Sequence, residues 1–260
     1  MRENSFRSRL EAGERLVNGW LSTGDPLLAE TMAHAGFDAL TLDLQHGVSD
    51  LGDALRAFQA ISSTETVPMV RVPWNDPATI MKVLDLGAYG VICPMIEGRA
   101  DAEAFVRSCR YPPDGNRSFG PVRGLLYGGG DYPARANDSV LAIAMIETRS
   151  ALEQLDDILT VAGLDAVFVG PADLSQALGG PAGTDWADGP VPAAIDTILE
   201  RCTAHGVPAG IFTKSPAYAR SMHERGFAFV TVGSDLGYVA AGAREVLDQV
   251  HHTAPTTPGA

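Results

Sequence analysis

Four polar residues stand at or near the ends of apolar runs, where a side chain can do chemistry at the edge of a core. His46 follows one run within the stretch DLQHG, Arg71 interrupts MVRVP, Glu147 directly follows VLAIAMI, and Asp173 follows AVFVGPA. Two carboxylates, with water and substrate as the remaining ligands, suit Mg²⁺ or Mn²⁺. Histidine transfers protons near neutral pH, and an arginine among apolar residues requires an anionic partner. Together these residues predict metal-assisted acid–base chemistry on an anionic substrate.

Each of these residues also has a purely structural interpretation. Glu147 could be an acid of a first helical turn and Asp173 an N-cap. Arg71 could pair with a buried acid, and His46 could be a hydrogen-bonded structural residue. However, Glu147 and Asp173 are 26 residues apart, which is the length of one strand-to-strand unit, so adjacent strands would present both carboxylates together. This pairing favours the metal interpretation. Asp85, in VLDLG, could orient the imidazole of His46 or merely cap a helix.

The elements that must position these residues are eight short apolar runs that alternate with helical patterns. Several of the helical segments end in glycine, the residue that most easily adopts a left-handed C-cap. This rhythm predicts parallel strands joined by crossover helices. Eight units in 260 residues favour a closed α/β barrel, the (β/α)8 TIM barrel, whose active site lies at the carboxyl ends of the strands. The runs are residues 16–21, 37–42, 66–72, 89–95, 140–146, 165–170, 207–212 and 227–232.

The composition narrows the class of partner. Hydrophobic residues make up 45% and charged residues 20% of the chain, and the net charge is −13, without a basic cluster. We therefore expect a small-molecule ligand and neither a nucleic acid nor a membrane partner. Three cysteines without CxxC spacing argue against a disulfide framework and for a reducing compartment. With no signal-peptide pattern or membrane span, the sequence predicts a cytoplasmic protein.

Two segments depart from the repeating pattern. Residues 111–139 are rich in glycine, proline and arginine and show no clear hydrophobic periodicity. A long irregular segment of this kind inside a compact domain is more often a functional loop than a simple connection. The end of the chain, HHTAPTTPGA, has too few apolar residues to pack. We therefore predict a single barrel domain over residues 1–250 and a disordered tail over residues 251–260.

Five motifs in order resemble one known family. They are ENSF with AGFDALTLDLQHG, VPMVRVPWNDPATIMKVLDLGAYGVICPMI, RYPPDGNRSFG, MIETRSALEQLDDI and GLDAVFVGPADLSQALG. Across residues 4–248 the chain resembles the HpcH/HpaI aldolases, the 4-hydroxy-2-oxoheptanedioate aldolase type of metal-dependent class II pyruvate aldolase. The resemblance implies a barrel of the phosphoenolpyruvate/pyruvate-binding superfamily. It also implies a homohexamer in which the last helix packs against a neighbouring barrel, and the apolar residues on several faces of segment 235–250 agree with that.

The resemblance also assigns roles to individual positions. It implies that Glu147 and Asp173 bind a divalent cation, Mg²⁺, Mn²⁺ or Co²⁺, and that His46 is the catalytic histidine. It places at Arg71 the arginine that holds the pyruvyl oxygen, and at Asp85 the aspartate that partners the histidine.

Substrate contacts follow from the same resemblance. The backbone of Gly170, Ala172 and Asp173 would receive the carboxylate of a 2-oxoacid. We expect Phe212 and the stretch GPVRGLLYGGG to line the side that accepts the aldehyde.

The implied reaction is the reversible cleavage of a 4-hydroxy-2-oxoacid into pyruvate or hydroxypyruvate and an aldehyde. A bound metal would make the C3 proton removable and His46 would transfer it, so no Schiff-base lysine is required. Of the two lysines, Lys82 and Lys214, only Lys214 could serve a class I mechanism. Gln45 and Met145 replace Glu and Gln found in many members, which leaves the preferred substrate open.

Two other functions remain compatible with the sequence. An acyl-CoA lyase of the citrate lyase beta or malyl-CoA type would share the barrel and the metal carboxylates, but it needs a basic surface for the CoA phosphates. A non-catalytic binding barrel is the third possibility, although it would have no reason to place four such residues at strand ends.

Overall fold

The computed structural model describes residues 2–251 of the chain. Eight parallel strands form one closed sheet in chain order, in which β1 pairs with both β2 and β8. The predicted (β/α)8 TIM barrel is therefore confirmed, and each predicted apolar run overlaps one strand. The strands are β1 Leu16–Leu21, β2 Ala39–Asp43, β3 Val67–Arg71, β4 Gly90–Cys93, β5 Leu141–Ile146, β6 Ala166–Val169, β7 Ala209–Thr213 and β8 Phe229–Val232.

Helices surround the strands, with a short one before β1 and a long one after β8. The helices are α1 Ser5–Glu11, α2 Pro26–His34, α3 Leu51–Ile61, α4 Pro77–Asp85, α5 Arg99–Cys109, α6 Val122–Gly128, α7 Tyr132–Ser139, α8 Arg149–Glu153, α9 Leu155–Leu159, α10 Pro171–Ala177, α11 Pro190–His205, α12 Pro216–Arg225 and α13 Asp235–His251.

Local sequence signals set several of these boundaries. Helix α4 begins after the N-cap Asp76 with a proline in its first turn, a position where the missing N–H costs nothing. Helices α11 and α12 end at Gly206 and Gly226, both in the left-handed conformation that glycine adopts without steric cost. The glycine C-caps predicted at these two ends are confirmed.

Side chains alternate along each strand between two cores. Met69 packs inside the barrel with Trp20 and Phe168, whereas Val70 packs in the layer between strands and helices. The rings of Trp20 and Phe168 are stacked with centroids 5.9 Å apart. Because the period is two, Arg71 shares the interior side of β3 with Met69. Interior residues at the carboxyl ends of the strands therefore face the mouth of the barrel.

Residues 111–139 are not the irregular loop that their composition predicts, since they include helices α6 and α7. Arg123 donates hydrogen bonds to the carbonyls of Leu86 and Phe58, 2.8 and 3.0 Å away, at the ends of α4 and α3. Tyr127 packs against Tyr89, which directly precedes β4, with ring centroids 4.9 Å apart. These contacts place α6 at the amino-terminal end of the strands, opposite the mouth.

The last helix, α13, continues to His251, so the prediction that a disordered tail begins at residue 251 is wrong at that residue. The remainder of that predicted tail, 252–260, lies outside the described residues, as does Met1. Over residues 2–251, no helix combines the length and the apolar character that a membrane crossing requires.

Candidate active site

His46, Arg71, Glu147 and Asp173 all lie at the carboxyl-terminal mouth of the barrel. Arg71 is the last residue of β3, and His46 lies three residues beyond β2. Glu147 directly follows β5, and Asp173 lies in the first turn of α10, just after β6. Since β2 pairs with β3 and β5 pairs with β6, the four residues come from two pairs of adjacent strands.

Asp43, the last residue of β2, connects two of these residues. Its Oδ1 accepts hydrogen bonds from the backbone N–H of Gln45 and His46, at 3.0 and 3.3 Å. Its two oxygens also accept from Nε and Nη2 of Arg71, at 2.9 and 2.6 Å. Burial alone would raise the pKa of Asp43, but Arg71 and the two N–H groups hold that pKa below its usual value. The ionised Asp43 therefore fixes both Arg71 and the turn that carries His46.

The guanidinium of Arg71 binds Asp43 on one edge and leaves Nη1 without a hydrogen bond among residues 2–251. Its Cζ lies 4.9 Å from the centroid of the Trp20 ring, and Trp20 itself donates to Asp43 at 3.3 Å. The ion pair with a buried acid, one of the two sequence interpretations of Arg71, is present. Among the hydrogen bonds of residues 2–251, none uses Nη1 of Arg71, so this group is available to a ligand.

Glu147 is a buried carboxylate, only 1% exposed. Burial raises the pKa of Glu147 to about 7; Asp173 also raises it, while the Met95 N–H and Arg71 lower it. The Met95 N–H donates to Oε1 of Glu147 at 2.9 Å, from a backbone with a φ of 55° that is uncommon outside glycine. Because α8 begins only at Arg149, Glu147 is not an acid of a first helical turn.

Gly170 allows Glu147 to lie close to the end of β6. A Cβ on Gly170 would be 2.5 Å from Oε2 of Glu147 and 2.8 Å from Cε of Met145, so any other residue would displace them. Gly170 is the N-cap of α10, and no side chain caps this helix. Asp173, in the first turn, is exposed and is not used as an N-cap, contrary to its structural interpretation.

A cavity of about 250 Å³ opens at this mouth. Six of the predicted site residues line it: His46, Arg71, Gly170, Ala172, Asp173 and Phe212. Glu147 lies directly behind Gly170. The remaining lining residues are Trp20, Ser22, Met145, Phe168, Pro171, Thr184 and Ser234. The cavity thus combines charged groups, an aromatic floor and three hydroxyl groups.

Asp85 is the predicted catalytic residue that the structure does not bring to this cavity. Its carboxylate accepts a hydrogen bond from Nη2 of Arg117 at 2.9 Å, and the Arg117 side chain is fully buried. Asp85 ends α4, and helices of such a barrel run back toward the amino ends of the strands. Within one chain, the expectation that Asp85 partners His46 is therefore wrong, and Asp43 is the carboxylate beside His46.

The stretch GPVRGLLYGGG and the two lysines are also absent from the cavity wall formed by the described residues. The stretch contains helix α6, which lies at the opposite end of the barrel. The expectation that it lines the aldehyde side is therefore not met within one chain. Lys82 lies on α4, and Lys214 is exposed beyond β7. Phe212, the other residue expected on that side, does line the cavity.

Several residues of the site received no role from the sequence, among them Asp43, Met95 and Thr184. The sequence could have indicated Asp43, because it lies two positions after Thr41, on the interior side of β2, and is the last residue of the strand. No sequence pattern indicates Met95 or Thr184, because the loops that meet at these residues are distant in sequence.

The donor set of the site fits a hard divalent cation. Within the described chain, no group of three or more His, Cys, Asp and Glu side chains could hold a metal, so a zinc-type site is not formed there. The buried Glu147 and the neighbouring Asp173 repel each other when both are ionised. A cation between two such carboxylates would remove that repulsion and take water and substrate oxygens as further ligands.

Comparisons with known proteins agree with this geometry. The model of the HpcH/HpaI aldolase/citrate lyase family matches residues 17–241. The hydroxypyruvate/pyruvate aldolase of Rhizorhabdus wittichii RW1 is 42% identical over 244 residues, which cover 94% of this chain and 97% of that protein. The 5-keto-4-deoxy-D-glucarate aldolase of Escherichia coli is 36% identical over 247 residues, covering 94% and 96%. The crystal structure of an HpcH/HpaI aldolase/citrate lyase family protein from Burkholderia cenocepacia J2315 gives a TM-score of 0.90 at 35% identity, covering 95% of this chain and 99% of that one.

Proposed function

Because the chain belongs to the HpcH/HpaI aldolase/citrate lyase family and is a carbon–carbon lyase, we propose that it catalyses reversible aldol cleavage of a 4-hydroxy-2-oxoacid. The products are pyruvate or hydroxypyruvate and an aldehyde. One observation carries this proposal: His46, Arg71 and Asp173 line a single cavity, with Glu147 directly behind Gly170.

Glu147 and Asp173 would hold the divalent cation, Mg²⁺, Mn²⁺ or Co²⁺. When bound, the ion supplies Lewis-acid polarisation of the 2-oxo group. The support comes from Glu147, because burial and a second carboxylate raise its pKa to about 7, and a bound cation would stabilise its ionised form near neutral pH.

The protein residues would divide the remaining work. Nη1 of Arg71 donates to the C2 oxygen as that oxygen gains negative charge, while Asp43 holds the guanidinium in place. The backbone of Gly170, Ala172 and Asp173, at the start of α10, receives the carboxylate of the 2-oxoacid.

His46 moves the protons. In cleavage, the proton of the C4 hydroxyl is removed, the C3–C4 bond breaks, the aldehyde leaves, and C3 gains a proton. In the reverse direction, C3 of the 2-oxoacid loses a proton before it attacks the aldehyde carbon. His46 lines the cavity and its backbone N–H is held by Asp43, which supports the imidazole as the group that acts in both directions.

The two rival mechanisms have less support. A class I mechanism needs a lysine at the substrate carbonyl, and neither lysine lines the cavity among the described residues. An acyl-CoA lyase needs cationic groups for the CoA phosphates, whereas the cationic lining residues are His46 and Arg71, beside the proposed metal carboxylates.

A donor and metal panel tests the proposal. Pyruvate and hydroxypyruvate are offered with several aldehydes, with added Mg²⁺, Mn²⁺ or Co²⁺ and with EDTA. We expect carbon–carbon bond formation only with metal, and its loss in Glu147→Gln and Asp173→Asn without loss of the folded state by circular dichroism. Full activity in EDTA, with borohydride trapping of the substrate on Lys214, would refute the class II assignment.

A further inference from the structure

Three hydroxyl groups line the side of the cavity formed by β7, β8 and β1, which are adjacent in the closed barrel. Ser22 follows β1, Ser234 follows β8, and Thr184 belongs to the connection between α10 and α11. All three residues are partly buried. No hydrogen bond within residues 2–251 uses any of these hydroxyl groups. Three unused hydroxyls in one cavity wall can bind a polar ligand there.

Thr184 is held in this wall by its neighbour Asp185. Asp185 has a φ of 57°, a left-handed conformation that is uncommon for residues other than glycine. Its carboxylate accepts hydrogen bonds from the backbone N–H of Lys214 and Ser215, both at 2.8 Å. These bonds tie the connection to the start of α12.

Trp186 adds a second attachment on the other side of Asp185. Its Nε1 donates to the carbonyl of Gly183 at 3.0 Å, and its own carbonyl accepts from the Tyr218 hydroxyl on α12 at 3.4 Å. The backbone that carries Thr184 is therefore fixed from both sides. These contacts hold Thr184 in the wall of the cavity.

The charge of this wall limits the ligand it can hold. Among the lining residues, only His46 and Arg71 can be cationic, and both belong to the charged side of the cavity. The Nε and Nη2 groups of Arg71 are already bound to Asp43. A carboxylate or phosphate on the β7–β8–β1 side would have no cationic partner among the lining residues, whereas a neutral hydroxyl would have three.

We propose that Thr184, positioned by Asp185, acts with Ser22 and Ser234 to bind hydroxyl groups of the aldehyde, so that the enzyme selects neutral hydroxylated aldehydes. This inference rests on the proposed aldolase function, which supplies the aldehyde. Thr184 is a specificity-determining residue and Asp185 a positioning residue. Phe212, on the same side, packs edge-on against Trp20 and forms the apolar part of the subsite.

The test compares glycolaldehyde with propanal, in which a methyl group replaces the hydroxyl, with pyruvate and Mn²⁺ held constant. We expect wild type to have the higher kcat/KM with glycolaldehyde, and Thr184→Val to lower the glycolaldehyde-to-propanal ratio about three- to tenfold, the effect of one lost hydrogen bond. Thr184→Ser keeps the hydroxyl and should restore most of the ratio. Thr203→Val, which removes an exposed hydroxyl on α11, is the matched control.

The positioning role of Asp185 is tested by its effect on the aldehyde preference that Thr184 provides. Asp185→Ala should lower the same ratio, and Asp185→Asn, which tolerates a left-handed backbone and keeps one acceptor, should lower it less. Adding Asp185→Ala to Thr184→Val should lower the ratio no further, because the positioned hydroxyl is already gone. A further, additive fall in the double variant would overturn the positioning role.

Two measurements separate failure of this inference from failure of the proposed function. Metal-dependent deuterium exchange at the C3 methyl of pyruvate by wild type tests the aldolase function alone, and its absence removes both proposals. If exchange occurs but Thr184→Val leaves the ratio unchanged, only the hydroxyl subsite is refuted. Preference of wild type for succinic semialdehyde over glycolaldehyde would likewise refute selection of neutral aldehydes.

Discussion

At the level of single residues, the charged side of the cavity depends on Asp43, which binds Arg71 with two hydrogen bonds and fixes the backbone at His46. Arg71 and His46 are therefore coupled through one carboxylate. The proposed electrophilic group and the proposed base keep their relative positions without contacting each other directly.

We expect His46→Ala to reduce aldol cleavage about 10²- to 10⁴-fold, the usual loss with a general base. Metal affinity should change little, since the imidazole is not a proposed ligand. Deuterium exchange at the C3 methyl of pyruvate and cleavage are measured on the same samples. His34→Ala, at an exposed position on α2, is the control. Exchange and cleavage at wild-type rates in His46→Ala would mean that another residue is the base.

Metal affinity should depend on pH through Glu147. Since burial raises its pKa to about 7, protons compete with the metal below that pH, and the affinity for Mn²⁺ should fall about fivefold from pH 7 to pH 6. Above pH 7 it should level off. Calorimetric titrations at pH 6, 7 and 8 measure this dependence. Equal affinity at all three values would contradict the assignment of Glu147 as a ligand.

The same shift affects stability without metal. The pKa of Glu147 is raised in the folded state from 4.5 to about 7. The stabilisation that the folded state gains by binding this proton is therefore fully present below pH 4.5 and is lost as the pH rises through 7. In EDTA at pH 8, Glu147→Gln should therefore exceed wild type in free energy of unfolding, by on the order of 2 to 3 kcal/mol. Urea unfolding at pH 5 and 8 tests this, and a difference that does not grow with pH would count against it.

At the level of secondary-structure elements, the close approach of β5 and β6 at the mouth requires a glycine. We expect Gly170→Ala to weaken Mn²⁺ binding and activity at least tenfold, because its Cβ would lie 2.5 Å from Oε2 of Glu147. Gly130→Ala is the control, since a Cβ there meets no atom within 4 Å. Calorimetry and cleavage rates measure the effect. Wild-type metal affinity in Gly170→Ala would show that Glu147 can move without consequence.

At the level of the whole molecule, α13 has an apolar surface that the chain itself leaves uncovered. Five apolar residues of this helix are each more than half exposed, and only Asp235 of the helix is buried. Such a surface is typical of an interface between subunits. The five are Leu236, Val239, Val246, Leu247 and Val250.

We therefore predict that the protein is an oligomer, with a hexamer as the expected form, and that α13 contributes to its interface. Replacing Val246 and Leu247 together by glutamate should shift the assembly toward smaller species in light scattering at micromolar concentration. Gln249→Glu adds one charge on the same helix and should shift it much less. A wild-type protein with the mass of one chain would refute the interface.

The sequence by itself determined the barrel and the position of four polar residues at its mouth. Strand period and glycine C-caps are local properties, and a residue at the interior end of a strand must face the mouth. His46, Arg71, Glu147 and Asp173 could therefore be placed from their positions relative to apolar runs.

Only the tertiary structure decided which side chains are partners. Asp85 is paired with Arg117, 32 residues away, and Thr184 reaches the cavity because Asp185 binds the start of α12, about 30 residues later. Within one chain, Asp43, and not Asp85, lies beside His46. Such contacts join segments whose separation in sequence carries no periodic signal, since they depend on how loops and helix ends meet once the barrel has closed.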